Sequence, residues 1–254
     1  MEGCWQMSRV VGIVQARMGS TRLPGKVLAD IAGRPMLARV VERLAQARSI
    51  TETVIATTAH EQDQPIRDLA RRLGIRVCTG AEEDVLARYL TTANETGADV
   101  VVRVTSDCPL IDPGLVEQTV AFYFNKQADY AANCCIEYLL PRGSEVEVFG
   151  AAGLREIESM AREPYERAHV TPYFYRHPER FKIAFLEVQG PYRRPELRVC
   201  VDTQEDLDLV RAIYARLDTG RNDFSILDVI ELLDREPALK EINAHIHQKK
   251  LQEG

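Results

Sequence analysis

Several features that define large protein classes are missing from this 254-residue chain. No apolar run approaches the roughly 18 residues that a membrane-spanning helix needs, and the mean hydropathy is −0.22. Residues 1–8 have neither a basic start nor an apolar core of signal-peptide length, so we expect a short N-terminal extension on a cytoplasmic protein. The net charge of −6 and the pI near 5.5 argue against a nucleic-acid partner, because nucleic-acid-binding domains usually have a pI above about 9.

Cysteine and histidine give little sign of redox or metal chemistry. The six cysteines form no C-x-x-C pair, and we expect them to be thiols in a reducing compartment. The adjacent Cys134 and Cys135 are more typical of packing than of a redox pair. His245 and His247 stand in a polar tail, where solvated side chains are expected more than a metal pair.

Strand and helix patterns alternate through the first half. Short β-branched runs indicate strands buried on both faces, and the stretches between them have apolar residues at helical spacing. This order predicts an α/β fold, with a doubly wound, mostly parallel sheet between two layers of helices. The predicted strands cover residues 10–14, 53–57, 75–79 and 99–105, and the predicted helices cover 36–47, 63–73, 82–96 and 113–126.

The second half is less regular and predicts a small β extension of the sheet. With no internal repeat and no Ser/Gly-rich linker, we expect one domain over residues 9–235 and a polar, partly loose tail over 236–254. The predicted strands cover residues 145–149, 181–188 and 197–201, and the predicted helices cover 151–160, 165–175, 204–217 and 226–235.

Positive charge is concentrated near the start of the chain, in the loop after the first strand. Residues 1–50 carry eight basic and three acidic side chains, and residues 15–26 contain two glycines, two hydroxyls, two arginines and a lysine. Glycines let backbone N–H groups approach phosphate oxygens, while Arg and Lys neutralise them. The loop matches neither G-x-x-x-x-G-K-[ST] nor G-x-G-x-x-G, so it predicts a different phosphate site or, alternatively, a solvated turn.

Two aspartates follow other predicted strands. Asp107 lies in the segment Ser106–Asp112, and Asp202 follows the apolar run that ends at Val201. Ligands of open parallel sheets bind at the carboxyl ends of strands, where two carboxylates could hold Mg²⁺ beside a phosphate. Such a set serves phosphoryl or nucleotidyl transfer. The alternative is that Asp107 caps a turn, and that Asp202 or Thr203 caps the following helix.

The motifs resemble those of the sugar cytidylyltransferases, which include the 3-deoxy-manno-octulosonate and acylneuraminate enzymes. The resemblance extends from about Val10 to Leu217, and it is nearest to the spore-coat polysaccharide biosynthesis protein F branch. It is carried by the residue runs 14–17, 20–26 and 31–36, by Ser106–Leu110, and by Val201-Asp202-Thr203-x-Glu205-Asp206-Leu207.

This resemblance implies a nucleotide-diphospho-sugar transferase-like fold and a reaction in which CMP passes from CTP to a sugar hydroxyl with release of pyrophosphate. It implies Mg²⁺ as cofactor, held by Asp107 and Asp202, and no protein nucleophile. It also implies a homodimer that makes an activated sugar for surface polysaccharide. The implied catalytic residues are Arg17, Arg22, Lys26, Asp107 and Asp202, and the implied nucleotide-binding residues are Gln15, Ala16, Arg17, Gly19, Ser20, Arg22, Lys26 and Ser106.

The acceptor and dimer contacts are expected within residues 130–190. The run 141–147 and the run 166–171 resemble family segments, although Ala168 stands where the family has Glu. The alternatives are a solvated turn for the first run and a packed helix-face histidine for the second. The candidate acceptor-binding residues are Asn133, Arg142, Glu145 and His169.

Two other functions remain open at this point. A glycosyltransferase would bind a finished nucleotide-sugar on a related sheet, but its diphosphate carries less charge and needs fewer basic residues in one loop. A non-catalytic nucleotide-binding partner in a glycan pathway would have no need for the complete set of basic and acidic residues. Pyrophosphate release separates nucleotidyl transfer from both.

Overall fold

A computed structural model describes residues 8–134 and 139–247. The predicted extension up to residue 7 and Cys135 lie outside the described residues. The strands are β1 Val10–Gln15, β2 Asp30–Ile31, β3 Arg34–Pro35, β4 Glu52–Thr58, β5 Arg76–Gly80, β6 Val100–Thr105, β7 Tyr130–Ala132, β8 Glu147–Gly150 and β9 Ile183–Phe185. The helices are α1 Met36–Leu44, α2 Gln64–Leu73, α3 Val85–Thr96, α4 Pro113–Lys126, α5 Ala151–Met160, α6 Pro164–His169, α7 Pro172–Arg176, α8 Gln204–Leu217, α9 Ile226–Arg235 and α10 Ala238–Glu241.

The main sheet has the order β5-β4-β1-β6-β8-β7-β9. β5, β4, β1 and β6 are parallel, β8 is antiparallel to both of its neighbours, and β7 is parallel to β9. Gln15 at the end of β1 stands level with Ala56 on one side and Thr105 on the other. The mostly parallel α/β fold is therefore confirmed, and the loops after β1 and β6 leave the sheet side by side.

The strand β1 is buried on both faces because its side chains alternate between two cores. Val10 and Val14 pack in a cluster with α1, α2 and α4, whereas Val11 and Ile13 pack in a cluster with α3, α5 and α7. A third cluster lies under the second half of the chain, where α8 and α9 pack against Leu197 and Val199. Burial on both faces explains why this strand is an uninterrupted apolar run.

The predicted strand over residues 197–201 is wrong. This segment is extended, but only Arg198 pairs, in an isolated bridge with Arg142. At the end of this segment, the N–H of Val201 donates to the carbonyl oxygen of Asp107, in the loop after β6, at 2.8 Å. The apolar pattern arises from burial in the third core, because a buried extended segment has the same composition as a strand.

The other differences are shorter or broken elements. The predicted strand over 181–188 is reduced to β9, and the predicted helix over 165–175 is divided into α6 and α7. Val170 between them has φ 71°, and the N–H of Thr171 donates to the carbonyl of His169 at 2.8 Å, which makes a tight three-residue turn. Pro172 lacks the N–H that a continuous helix would need.

The tail is more ordered than a polar composition suggests. It forms α10, in which Leu239 is buried, and Asn243 beyond it is only 5% exposed. Within the tail predicted to be polar and partly loose from residue 236 onward, the part up to Asn243 is therefore ordered. Within residues 8–134 and 139–247, no helix is long and apolar enough to cross a bilayer.

Candidate active site at the carboxyl ends of the strands

Three segments that are distant in sequence meet at one edge of the sheet. The N–H of Ser106 donates to the carbonyl of Gln15 at 3.2 Å, which joins the loops after β1 and β6. The N–H of Val201 donates to the carbonyl of Asp107, which joins the loop after β6 to the segment before α8. The pairing of β1 with β6 brings the first two candidate loops together, and the hydrogen bond from Val201 adds the third segment to the same surface.

Lys26 is the centre of this surface. Its ammonium group donates to the carbonyl oxygen of Val201 at 2.7 Å, to Oδ1 of Asp202 at 2.8 Å and to Oδ2 of Asp107 at 3.3 Å. The side chain is only 11% exposed, so these contacts lie in a partly desolvated place. Arg22 adds a second cation, whose Nη2 lies 2.8 Å from Oδ2 of Asp202. We call Arg22, Lys26, Asp107 and Asp202 the strand-tip cluster.

The charges of the cluster shift one another's pKa. Burial alone would lower the pKa of the Lys26 ammonium, but the carboxylates of Asp107 and Asp202 outweigh burial and raise it. Burial alone would raise the pKa of the Asp202 carboxyl, but Lys26, Arg198 and Arg22 lower it to about 2. Both groups therefore stay ionised throughout the neutral range.

The two carboxylates differ in how many partners they have. Asp202 accepts from Lys26, Arg22 and Arg198, and its side chain is 13% exposed. Asp107 accepts from Lys26, its side chain is 29% exposed, and the thiol of Cys108 lies 3.6 Å from its Oδ1. Asp107 is thus the more accessible of the two carboxylates.

A buried network behind the cluster holds Asp202. Arg198 donates from Nη2 to Asp202 Oδ2 at 2.7 Å and from Nε to Asp206 Oδ1 at 2.9 Å. Asp206, which is fully buried, also accepts from the backbone N–H groups of Asp202 and Thr203. Thr203 caps α8 and forms a capping box with Asp206. The helix cap is therefore Thr203, which leaves the carboxylate of Asp202 to face the cluster.

The remaining residues of the first loop have varied surroundings. Arg17 and Gly19 are exposed, and Ser20 Oγ accepts from the N–H of Leu23 at 3.4 Å. Ala16 is buried, and its N–H donates to the carbonyl of Ala56.

At the ends of the strands, Ser106 and Gln15 are less accessible. The side chain of Ser106 is buried, and the amide oxygen of Gln15 is buried without a hydrogen-bond partner. The exposed cation of Arg17 is the side chain of this group most available to a ligand.

Sequence reasoning missed the residue that shapes this loop. Asp63 is fully buried, and its Oδ1 accepts from the N–H of Met18 at 2.7 Å while its Oδ2 accepts from Thr58 Oγ1 at 2.5 Å. Asp63 is the first residue of the predicted helix over 63–73, where an acid is typical, so its position gave no sign of a partner 45 residues away. Asp206 was detectable, because it stands three residues after Thr203 in the capping-box spacing.

The run that includes Arg142 and Glu145 reaches the same surface. Arg142 donates from its N–H to the carbonyl of Leu197 at 2.9 Å and accepts from the N–H of Val199 at 2.7 Å. Gly143 has φ 105°, and a Cβ there would lie 2.7 Å from the backbone nitrogen of Cys200. Only glycine permits this approach, which brings the loop against the segment before Asp202.

Glu145 is held within this loop. Its Oε2 accepts from the N–H of Gly143 at 2.6 Å, and its Oε1 lies 4.0 Å from Nη1 of Arg142. Burial raises the pKa of Glu145, the Gly143 N–H and Arg142 oppose that shift, and the charge of Asp107 adds to it. Glu145 is therefore electrostatically linked to the strand-tip cluster.

Asn133 and His169 stand in different surroundings. The amide of Asn133 donates to the carbonyl of Ser144 at 2.9 Å and accepts from the N–H of Val146 at 2.7 Å, so it holds the loop between them. His169 ends α6, next to the tight turn at Val170. The loop that carries Arg142 and Glu145 lies against the segment before Asp202, whereas the contacts described for Asn133 are with the backbone.

Comparison with known proteins places this geometry in one family. The sequence profile of the family described as cytidylyltransferase matches residues 11–244. The chain belongs to the cytidylyltransferase family. It is thus a nucleotidyltransferase. The strand-tip cluster lies at the carboxyl ends of the strands, where open α/β sheets generally bind their ligands.

The chain is similar over nearly its whole length to proteins of this family. It is 35% identical to the spore coat polysaccharide biosynthesis protein SpsF of Bacillus subtilis, over 91% of this chain and 96% of that protein. It is 29% identical to the 3-deoxy-manno-octulosonate cytidylyltransferase of Francisella tularensis subsp. novicida, over 82% and 87%. The solved structure of a cytidylyltransferase from Leptospira borgpetersenii serovar Hardjo-bovis has a TM-score of 0.87 at 29% identity and covers 96% of this chain and 100% of that one.

The donor set of this cytidylyltransferase fits a magnesium ion that is shared with a substrate. The carboxylates of Asp107 and Asp202 both contact one ammonium group, so a cation already bridges them. Among the described residues, no group of three or more His, Cys, Asp or Glu side chains could hold a metal. Mg²⁺ is usually bound by one or two carboxylates, with water and substrate phosphates completing its coordination.

Proposed function

We propose that this cytidylyltransferase transfers CMP from CTP to a hydroxyl group of an acidic sugar, with Mg²⁺ as cofactor. The observation that carries the proposal is the convergence of Asp107, Asp202, Arg22 and Lys26 at the carboxyl end of the sheet. Two carboxylates and two cations at one point suit a metal–triphosphate complex, because each charge has a counterpart there. The similarity to 3-deoxy-manno-octulosonate cytidylyltransferase supports an acidic acceptor.

The reaction needs positioning more than covalent chemistry. The acceptor hydroxyl oxygen forms a bond to the α-phosphorus, the bond from that phosphorus to the α–β bridging oxygen breaks, and pyrophosphate leaves. The hydroxyl proton passes to water. Bound at Asp107 and Asp202, Mg²⁺ would supply charge neutralisation for the phosphates.

The residues of the chain have separate parts in this reaction. Arg22 is 30% exposed and contacts only one oxygen of Asp202, so it can turn toward the triphosphate with little loss of packing. Arg17 is exposed on the same loop and adds a further cation. Arg142 and Glu145 lie on the loop against the segment before Asp202, which is a suitable place for the acceptor. The proposed product is an activated sugar for surface polysaccharide, in line with the similarity to SpsF.

Pyrophosphate release tests this function directly. CTP, UTP, ATP and GTP would each be offered with Mg²⁺ and a panel of acidic and neutral sugars. We expect acceptor-dependent release with CTP that is abolished in Asp107→Ala and retained in Asp208→Ala, which changes an exposed aspartate of α8. Release that requires no acceptor, or equal release from all four nucleotides, would contradict the proposal.

A further inference from the structure

The network behind Asp202 extends into the C-terminal tail. Asn243 donates from Nδ2 to Asp206 Oδ1 at 2.8 Å and to the backbone carbonyl of Arg198 at 3.1 Å. Asp206 is fully buried, Asn243 is 5% exposed, and Arg198 is 9% exposed. The amide of Asn243 thus holds Arg198 in two ways. It binds the backbone of Arg198 directly, and it binds the Asp206 carboxylate that contacts the Arg198 guanidinium. We call Arg198, Asp206 and Asn243 the support network.

The three cations on Asp202 are not equivalent. Arg22 belongs to the first loop and is 30% exposed, whereas Arg198 makes two further charge-assisted hydrogen bonds to Asp206. Lys26 contacts Oδ1 of Asp202, and both arginines contact Oδ2. When the first-loop cations turn to a triphosphate, Arg198 is the one that stays, because its other partner is fully buried.

We propose that Asn243 is a positioning residue of the active site, which acts through Asp206 and Arg198 to keep Oδ2 of Asp202 occupied and Oδ1 directed at the metal. The inference rests on the proposed function. A ligating carboxylate whose second oxygen is held by a fixed donor presents a single orientation to the cation, and loss of such outer partners typically weakens metal binding. The segment after α9 is then part of the catalytic unit.

Asn243→Asp is the most informative variant. It keeps the size of the side chain but replaces an N–H donor with a carboxylate oxygen 2.8 Å from the carboxylate of Asp206. Two ionised carboxylates at that distance repel each other, so the support network separates at a pH where both are ionised, whereas uptake of one proton would restore the hydrogen bond. Asn243→Ala is the second variant, because it removes the donor without adding charge and is expected to fold.

Leu239→Ala is the matched control. Leu239 is buried in the same tail segment and packs in the third core, but it has no place in the support network. Its substitution weakens the attachment of the tail by removing apolar packing. This control therefore shows the effect of loosening the tail without changing the support network.

The measurement is the binding of Mn²⁺ by electron paramagnetic resonance, with the full-length protein and saturating CTP in the absence of acceptor. We expect Asn243→Asp to raise the half-saturating Mn²⁺ concentration by about tenfold or more, and Asn243→Ala by about threefold. Leu239→Ala should leave it within about twofold while lowering the Tm at least as much as Asn243→Ala. In steady-state assays, Asn243→Asp should raise the Mg²⁺ requirement and leave the KM for CTP at saturating Mg²⁺ unchanged.

Two results would overturn the inference, and they differ from failure of the proposed function. If wild type binds Mn²⁺ and both Asn243→Asp and Asn243→Ala bind it equally well, Asn243 has only a structural role. A weakening that Leu239→Ala reproduces at equal Tm would mean the same. If wild type itself binds no Mn²⁺ with CTP, the proposed metal function fails as well.

Discussion

Two neighbouring regions use polar side chains in opposite ways. In the strand-tip cluster, Lys26 and Arg22 form ion pairs with carboxylates at the edge of the sheet, where the side chain of Arg22 is 30% exposed. Against the loop over residues 143–146, the amide of Asn133 donates to the carbonyl of Ser144 and accepts from the N–H of Val146, so its described contacts are with the backbone. The comparison teaches that a polar residue near a strand end can serve a ligand or a loop, and only its partners decide which.

Substitution of Lys26 should produce the largest effect on activity. Lys26→Met leaves two carboxylates facing each other without their shared cation, and removes a charge from the proposed triphosphate site. We expect kcat for pyrophosphate release to fall on the order of 10²–10³-fold, as for other fixed charges that stabilise a transition state. Lys182→Met, which removes an exposed lysine just before β9, is the control and should be active. A decrease in kcat of less than about tenfold would mean that Lys26 has a structural role and does not stabilise the transition state.

Substitution of Asn133 should affect stability more than substrate binding. Asn133→Ala leaves the carbonyl of Ser144 and the N–H of Val146 buried without a partner, so we expect the free energy of unfolding to fall by about 2–3 kcal/mol. Urea denaturation measures this, with the exposed Asn94→Ala as control. If the KM for the acceptor rises while the stability is unchanged, Asn133 binds acceptor as the sequence predicts and the contrast between the two regions weakens.

The ion pairs of Asp202 should be visible in the acid stability of the protein. Its pKa is about 2 in the folded protein against an ordinary 3.8, so its stabilising contribution is present above about pH 4 and is lost as the pH falls toward 2. The shift corresponds to about 2 kcal/mol. Urea denaturation at several pH values should therefore show a shallower loss between pH 4 and 2 for Asp202→Asn than for wild type. Equal slopes would mean that the ion pairs contribute little.

The smallest expected effect is that of Gly19→Ala on folding. A Cβ at Gly19 would have no atom within 4 Å, and the residue is exposed in the first loop. We expect the free energy of unfolding to stay within about 0.5 kcal/mol of wild type. If Gly19 lets the backbone approach a triphosphate, the KM for CTP should rise by a few-fold all the same. A change in stability with no change in KM would remove Gly19 from the proposed nucleotide site.

Much of the fold was predictable because apolar periodicity reports burial. The run at β1 and the run at β6 have the composition of strands buried on both faces, and both are strands of the parallel sheet. The same signal failed at residues 197–201, where an apolar extended segment is buried beneath α8 and α9 with only one bridge. Composition records that a segment is buried, but not whether a neighbouring strand pairs with it.

The site was predictable to the extent that its chemistry is local. The basic first loop, Asp107 and Asp202 could be chosen from their places after apolar runs, and the fold brings them together around Lys26. Asp63 could not be chosen, because its partner Met18 lies 45 residues away and only the pairing of β4 with β1 brings the segments that follow these two strands together.

The sequence by itself determined the α/β class, the family, and the charged residues that form the strand-tip cluster, because hydrophobic period and strand-end chemistry are properties of short segments. Only the tertiary structure decided that Arg198 is held between Asp202 and the buried Asp206, whereas Arg22 reaches Asp202 from a 30% exposed position. Arg198, Asp206 and Asn243 are joined by hydrogen bonds across up to 45 residues of chain. Such bonds depend on which buried donors and acceptors are brought close together by folding, and no local sequence pattern predicts these long-range pairs.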